Sequence, residues 1–285
     1  MKHLIYLFIS IVISITLVSA IQTNSGKTKT LTLQSVDKNA GLLKQSADVI
    51  STRLKLFGLN SSEVKVLPDK GQIEVILPVN TVISEIEGLL TSKGELSFYE
   101  TFTHMEILDL FKSDNQLFQL LKSQDEGATS DPRAGCTDGE GKVRTDEYLR
   151  SAIHVKNCKL LWGNKSEKSG YCLFALKTNQ EGKPLLVRSD IESVKIASGK
   201  DPQDLKIQIK LNPSATIVFA DATERNLNKS IAIVIDNQVY SWPVVRSAIK
   251  EGQIEVTGNF TKNEVNYFPA VFNSPQLPLE LKLLK

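Results

Sequence analysis

Apolar residues recur along this chain in two rhythms, one near three and a half residues and one of two, and the switches between them mark out its elements. Weak alternation from Thr30 to Val36 predicts a short strand. Leu43, Ala47, Ile50, Leu54 and Phe57 then fall on one face of a helix, with Lys44, Asp48, Arg53 and Lys55 assigned to the other. Gly58 ends it, since glycine tolerates the left-handed cap conformation. Glu63–Val66 leads through Pro68-Asp69-Lys70-Gly71 to the alternating Ile73, Val75 and Leu77, a hairpin with suitable turn chemistry. Val82, Ile86, Leu89 and Leu90 predict a second helix ended by Gly94, and Leu96–Tyr99 returns as a strand. Leu31–Glu100 therefore reads βαββαβ, a ferredoxin-like unit with two helices on one face of an antiparallel sheet.

The pattern changes at Thr101. Residues 108–121 read as helical with a break near Ser113-Asp114, and Gly127–Val143 reads as an exposed polar loop. Cys158–Trp162 and Tyr171–Leu176 read as two strands around a polar linker. From Pro184 onward, Ile191–Ile196 and the cleanly alternating Leu205–Leu211 read as strands. Pro213 opens a helix that buries Ala215, Val218, Phe219 and Ala222. Ser230–Ile235 suits a central strand, and Asp236-Asn237 a tight turn into Val239-Tyr240.

At the N-terminus, Lys2 and His3 precede the apolar run Leu4–Val18, and Val18-Ser19-Ala20 offers small residues for cleavage. The expectation is a signal peptide over 1–20, with an uncleaved anchor as the alternative, because the run is somewhat short for a span. The protein is expected to be exported: periplasmic, or anchored outside the inner membrane. Membrane contact is expected only if the segment stays uncleaved. The 34 Lys+Arg against 32 Asp+Glu are scattered, which argues against a nucleic-acid surface.

Three cysteines in an exported chain allow one intramolecular disulfide. Parity in the proposed hairpin favours Cys158 with Cys172, with Cys136 as the competitor for either. Their spacing lacks a C-x2-C pair, and His104 and His154 lie apart, so no metal site is expected. Signatures such as G-x-S-x-G, H-E-x-x-H and the phosphate-binding loop are missing, and neither catalysis nor a cofactor is expected.

Several short motifs share one likeness. Phe219-x3-Thr223-x2-Asn226-x2-Lys229, then Ile231–Asp236, Ser241-x-Pro243, Gly252, Gly258-Asn259-Phe260-Thr261 and Leu277-Pro278 resemble the first large extracytoplasmic domain of SecD. SecD is the accessory subunit of the Sec export machinery. Ile50-x2-Arg53-Leu54-x3-Gly58, Gln72–Pro78 and Gly94–Phe98 are similar to the beginning of that domain, in the family's order. Residues 101–183 have no counterpart in the likeness. Most of these motif residues, Arg53, Gly58, Pro78, Thr223, Asn226, Asp236, Pro243, Gly258, Phe260 and Pro278, have structural explanations as caps, turns and core. The sequence stops about where the second membrane helix of SecD would begin, so proton coupling is not expected of it. Pro269 falls inside the last predicted helix, where a kink or restart is expected, and Pro275 stands where the family would have Gly.

The reading is an α+β protein: a ferredoxin-like βαββαβ base over 30–101 and 259–285, an insertion of unknown role over 102–183, and a SecD-like α+β head subdomain over 184–258. The resemblance implies a non-catalytic module that binds emerging exported polypeptides or Sec translocon subunits. The competing readings are a structural or regulatory cell-envelope module and, third, a periplasmic hydrolase with an unrecognised site.

Overall fold

The computed structural model describes residues 22–24, 27–111, 115–121, 131–152, 155–165, 169–198, 205–257 and 262–284. The expected signal peptide and His154, Gly258, Asn259 and Phe260 lie outside the described residues. Among the described residues no helix is long and apolar enough to cross a membrane.

In chain order the elements are β1 (Gln22–Asn24), β2 (Thr28–Ser35), α1 (Ala40–Phe57), β3 (Glu63–Leu67), β4 (Gln72–Pro78), α2 (Ile83–Thr91), β5 (Leu96–Thr101), α3 (His104–Leu110) and α4 (Asn115–Leu120). They continue with β6 (Arg133–Thr137), α5 (Gly139–Ala152), β7 (Cys158–Trp162), β8 (Tyr171–Lys177), β9 (Leu186–Val187), β10 (Ile191–Ser198), β11 (Leu205–Leu211) and α6 (Pro213–Arg225). The last are β12 (Ile231–Ile235), β13 (Gln238–Ser241), β14 (Gln253–Thr257), α7 (Lys262–Phe272) and β15 (Leu281–Leu283).

The first sheet runs β1-β2-β4-β3, and β15 joins β2 on the edge that β1 also uses. β1 takes Thr28–Thr30 and β15 takes Leu33–Ser35. Leu31, Leu33, Ile73, Val75 and Leu77 point from this sheet into the core, and α1 covers them with Leu43, Ala47, Ile50 and Leu54. Asn39 caps α1 by accepting from the Leu42 N–H, and Gly58 closes it in the left-handed region, as the pattern predicts.

β5 departs from the expected unit. It pairs with β12 in a second sheet of seven strands, Leu96 opposite Ile235 and Glu100 opposite Ile231. The reason is its composition: Leu96, Phe98, Tyr99 and Thr101 are all buried, so both faces need cover, whereas β2 offers one. The second sheet gives that cover. Ile231, Ile233 and Ile235 of β12 face the main core, while Ala232 and Val234 join Tyr99, Phe174 and Leu176 on the other side.

The segment 102–183 supplies β6, β7 and β8 to this sheet. The expected exposed loop at 127–143 is corrected for its described part: Arg133–Thr137 is a strand with Ala134 and Cys136 buried, and α5 starts at Gly139. Polar composition concealed a strand whose buried atoms are small. The disulfide expectation is also corrected. β6 places Cys136 directly opposite Cys172, and these two are bonded. The β7–β8 register sets Trp162 against Leu173 and Cys158 against Lys177. That register differs by an odd number of residues from the one expected, so Cys158 and Cys172 lie on opposite faces of the sheet.

β10, β11 and β14 form a third, three-stranded sheet. α7 lies between α1 and α2 on one side and β10 on the other. It runs through Pro269 without the expected restart, and the Asn273 N–H still reaches the Pro269 carbonyl at 2.9 Å. One hydrophobic core is continuous from Leu33 and Ile50 through Val271 to Ile207, Phe219 and Ile233.

Candidate functional site

Two arginines organise the junction where the first sheet meets the second. Arg53 was assigned to the polar face of α1, but it sits one residue before Leu54 and three after Ile50, and it is fully buried. Its Nε donates to Ser274 Oγ at 3.0 Å, Nη1 to the carbonyls of Leu89 at 3.2 Å and Ser92 at 2.6 Å, and Nη2 to that of Lys93 at 3.2 Å. These carbonyls close the end of α2, where a cation is favoured. Burial lowers the Arg53 pKa to about 10, partly opposed by the neighbouring Tyr267 and Asp236.

Arg188 grips the same junction from the other side. Nη1 donates to the Gly94 carbonyl at 2.6 Å, and Nη2 to the carbonyls of Phe272 at 3.1 Å, Val271 at 3.3 Å and Ser274. Burial lowers its pKa as well, and Asp236 opposes that. Gly94 has φ 80°, and a Cβ there would stand 2.9 Å from Arg53 Nη2, so this position requires glycine. Asp236 completes the group: Oδ1 accepts from the Glu95 N–H at 2.8 Å and Oδ2 from Ser92 Oγ at 2.5 Å. Asp236 and Asn237 both have positive φ, 47° and 63°, which suits the two central residues of the β12–β13 hairpin.

The second feature is an apolar cavity of about 260 Å³ between α6, β12 and the chain after β13, lined by Phe98, Phe219, Thr223, Ile233, Pro243 and Ile249 among others. Thr223 Oγ1 donates to the Phe219 carbonyl and accepts from the Ile249 N–H at 2.9 Å, so it pins the cavity wall to α6. Asn226, buried, donates to the Ala222 carbonyl at 2.8 Å and ends that helix. Arg246 and Glu255 stand at the lining as its charged members. The volume lies near the lower end of the range for ligand sites and suits an apolar side chain better than a cofactor.

The sequence motifs thus divide. Arg53 and Asp236 come together at the arginine junction, Thr223 and Pro243 line the cavity, and Asn226 ends α6. Gly58 and Pro78 end α1 and β4, and Pro278 is an exposed residue between α7 and β15. Gly258 and Phe260 lie outside the described residues. Arg188, Ser92, Tyr267 and Ser274 escape sequence reasoning, because their partners are backbone carbonyls or side chains far away in the chain, which leave no spacing signal. Cys158 is a free thiol whose pKa burial pushes up to about 12. No group of three or more potential metal ligands occurs among the described residues.

The arrangement is an α+β domain with a rigid buried joint and an apolar recess beyond it. Residues 173–279 match the family profile described as SecDF, P1 head subdomain. The chain is 26% identical over 144 residues to the protein translocase subunit SecD of Calditerrivibrio nitroreducens, half of this chain and 28% of that protein. It is 30% identical over 107 residues to SecD of Dictyoglomus turgidum, 38% of this chain and 27% of that protein. The chain therefore spans about a quarter of the length of these relatives. Its fold is that of part of SecDF in the super-membrane-facing crystal form, with a TM-score of 0.50 at 18% identity, over 91% of this chain and 30% of that one. Over residues 173–279 the chain is thus similar to the P1 head of SecDF, and the relatives it resembles are SecD subunits.

Proposed function

We propose that this chain is an extracytoplasmic accessory domain of protein export, which holds apolar segments of exported polypeptide without catalysis or proton coupling of its own. The observation that carries the reading is the match of 173–279 to the SecDF P1 head, which supplies all of the cavity lining except Phe98. A recess sized for one side chain accepts many sequences, as a handler of varied cargo needs. The Sec translocon subunits are the proposed docking partners, and the space outside the inner membrane the proposed location. The base is proposed to be ferredoxin-like: the order β15-β2-β4-β3 with α1 and α2 packed on it supports this, β15 standing where β5 was expected.

A photocrosslinking residue at Val244, beside the cavity, tests the reading in cells whose export is slowed. Crosslinks to exported chains are expected. Crosslinks confined to a stable envelope protein unrelated to export would overturn it in favour of a structural module.

A further inference from the structure

Among the described residues the outer backbone edge of β7 is open over Leu160–Trp162. Gly163 donates to the Cys172 carbonyl at 2.8 Å and Thr178 to that of Asn157 at 3.0 Å, so the odd-numbered residues between them face β8. Leu160 and Trp162 accordingly turn their N–H and C=O groups away from the sheet, and among the described residues nothing bonds to them. The next outward group, the Asn164 N–H, reaches the Val239 carbonyl at 3.3 Å, where β7 and β13 touch through a single parallel bridge. Beyond that point the two diverge.

A cleft of about 520 Å³ lies over this edge, walled by α5 on one side and the turn at Asp236–Gln238 on the other. Its acids are already engaged. Asp146 Oδ1 accepts from the Trp162 indole N–H at 2.7 Å and Oδ2 from Lys142 Nζ at 2.7 Å, while both oxygens of Asp236 are bound at the arginine junction. Its cations are not all so matched. Arg150, exposed on α5 at the cleft wall, has no carboxylate partner among the described residues. The Trp162 ring, fixed by Asp146 and flanked by Lys142 5.1 Å from its centroid, forms a flat apolar floor.

We infer that this cleft takes an extended acidic segment of a partner polypeptide, added as a strand along β7. An extended chain satisfies the outward N–H and C=O groups of Leu160 and Trp162, and a carboxylate on its α5-facing side meets Arg150. The β7 edge and α5 lie ahead of the region matched to the P1 head, and the cleft shares no lining residue with the apolar cavity, so its failure leaves the export reading untouched.

The probe is an acetylated, amidated heptapeptide of alternating Val and Glu, titrated into the protein while amide exchange is followed. Saturable binding with slowed exchange at the Leu160 and Trp162 amides is expected. Arg150→Glu, a change at an exposed position, should weaken binding about fivefold or more. The same peptide with its backbone nitrogens methylated should lose the protection. The inference is overturned if the acidic peptide fails to bind, if the methylated or a Val-Lys peptide binds as well, or if Arg150→Glu leaves the affinity unchanged.

Discussion

Asp236 and Ser92, 144 residues apart in the chain, are joined by a hydrogen bond of 2.5 Å from the Ser92 hydroxyl to the carboxylate. The same carboxylate accepts the Glu95 N–H, so the β12–β13 turn is held to the loop between α2 and β5. Asp236→Ala leaves a part-buried N–H and hydroxyl without an acceptor and should cost about 1–3 kcal/mol. Asp236→Asn keeps an acceptor for Glu95 and should cost less. Urea unfolding midpoints of the two variants check the order.

Arg53→Met should cost about 3 kcal/mol, because the buried carbonyl of Leu89 and the part-buried carbonyls of Ser92 and Lys93 lose their donor. Arg53→Lys should recover only part of this, since one ammonium cannot reproduce the fork. Thermal unfolding of both variants, with Leu89→Ala as a packing control, measures it.

The Cys136–Cys172 bond closes a separation of 36 residues, and its removal should cost about 4 kcal/mol through the unfolded chain. Non-reducing peptide mapping should give one linked peptide containing these two. Cys158 should react with an alkylating reagent only after unfolding, because its buried thiol stays protonated at neutral pH.

Glu106 gives a pH dependence of known sign. Burial alone would raise its pKa, but the Thr103 N–H at 2.7 Å and Lys177 Nζ at 3.0 Å outweigh that and hold it below its ordinary value. Its contribution is therefore present above the unfolded pKa, about 4.3, and is lost as pH falls through the lower folded value. Glu106→Gln should flatten the acid side of the stability curve while leaving the alkaline side unchanged, as read by unfolding midpoints across pH.

Leu54→Ala and Ile233→Ala should each cost about 2–5 kcal/mol, since both side chains lie in the continuous core. Chemical unfolding with unchanged slopes checks this, and an unaltered midpoint in either variant contradicts the packing.

Local chemistry was well legible in the sequence. The period of α1 with its glycine cap, the Pro213 start of α6 and the hairpin at Asp236-Asn237 all follow from residues within one turn of each other. What escaped were choices settled between distant segments. Nothing near Leu96–Thr101 says that β15, almost two hundred residues later, fills the place beside β2. The β7–β8 register depends on a connection whose length, not its composition, decides which face Cys158 takes. Arg53 was misassigned because a long cation at the border of an apolar stripe reads as solvated unless its acceptors are seen. At the site, Thr223, Pro243 and Asp236 were found through motif likeness, whereas Arg188 was invisible to it.

The chain leaves the first sheet by β5 and comes back by α7, and Arg188 bonds to both crossings, to Gly94 on the way out and to Val271–Ser274 on the return. Outgoing and returning chain are thus clamped at one point. Arg53 spans the same two crossings, to Ser92 and Lys93 on one side and Ser274 on the other, so parting them would take the loss of both guanidinium forks together.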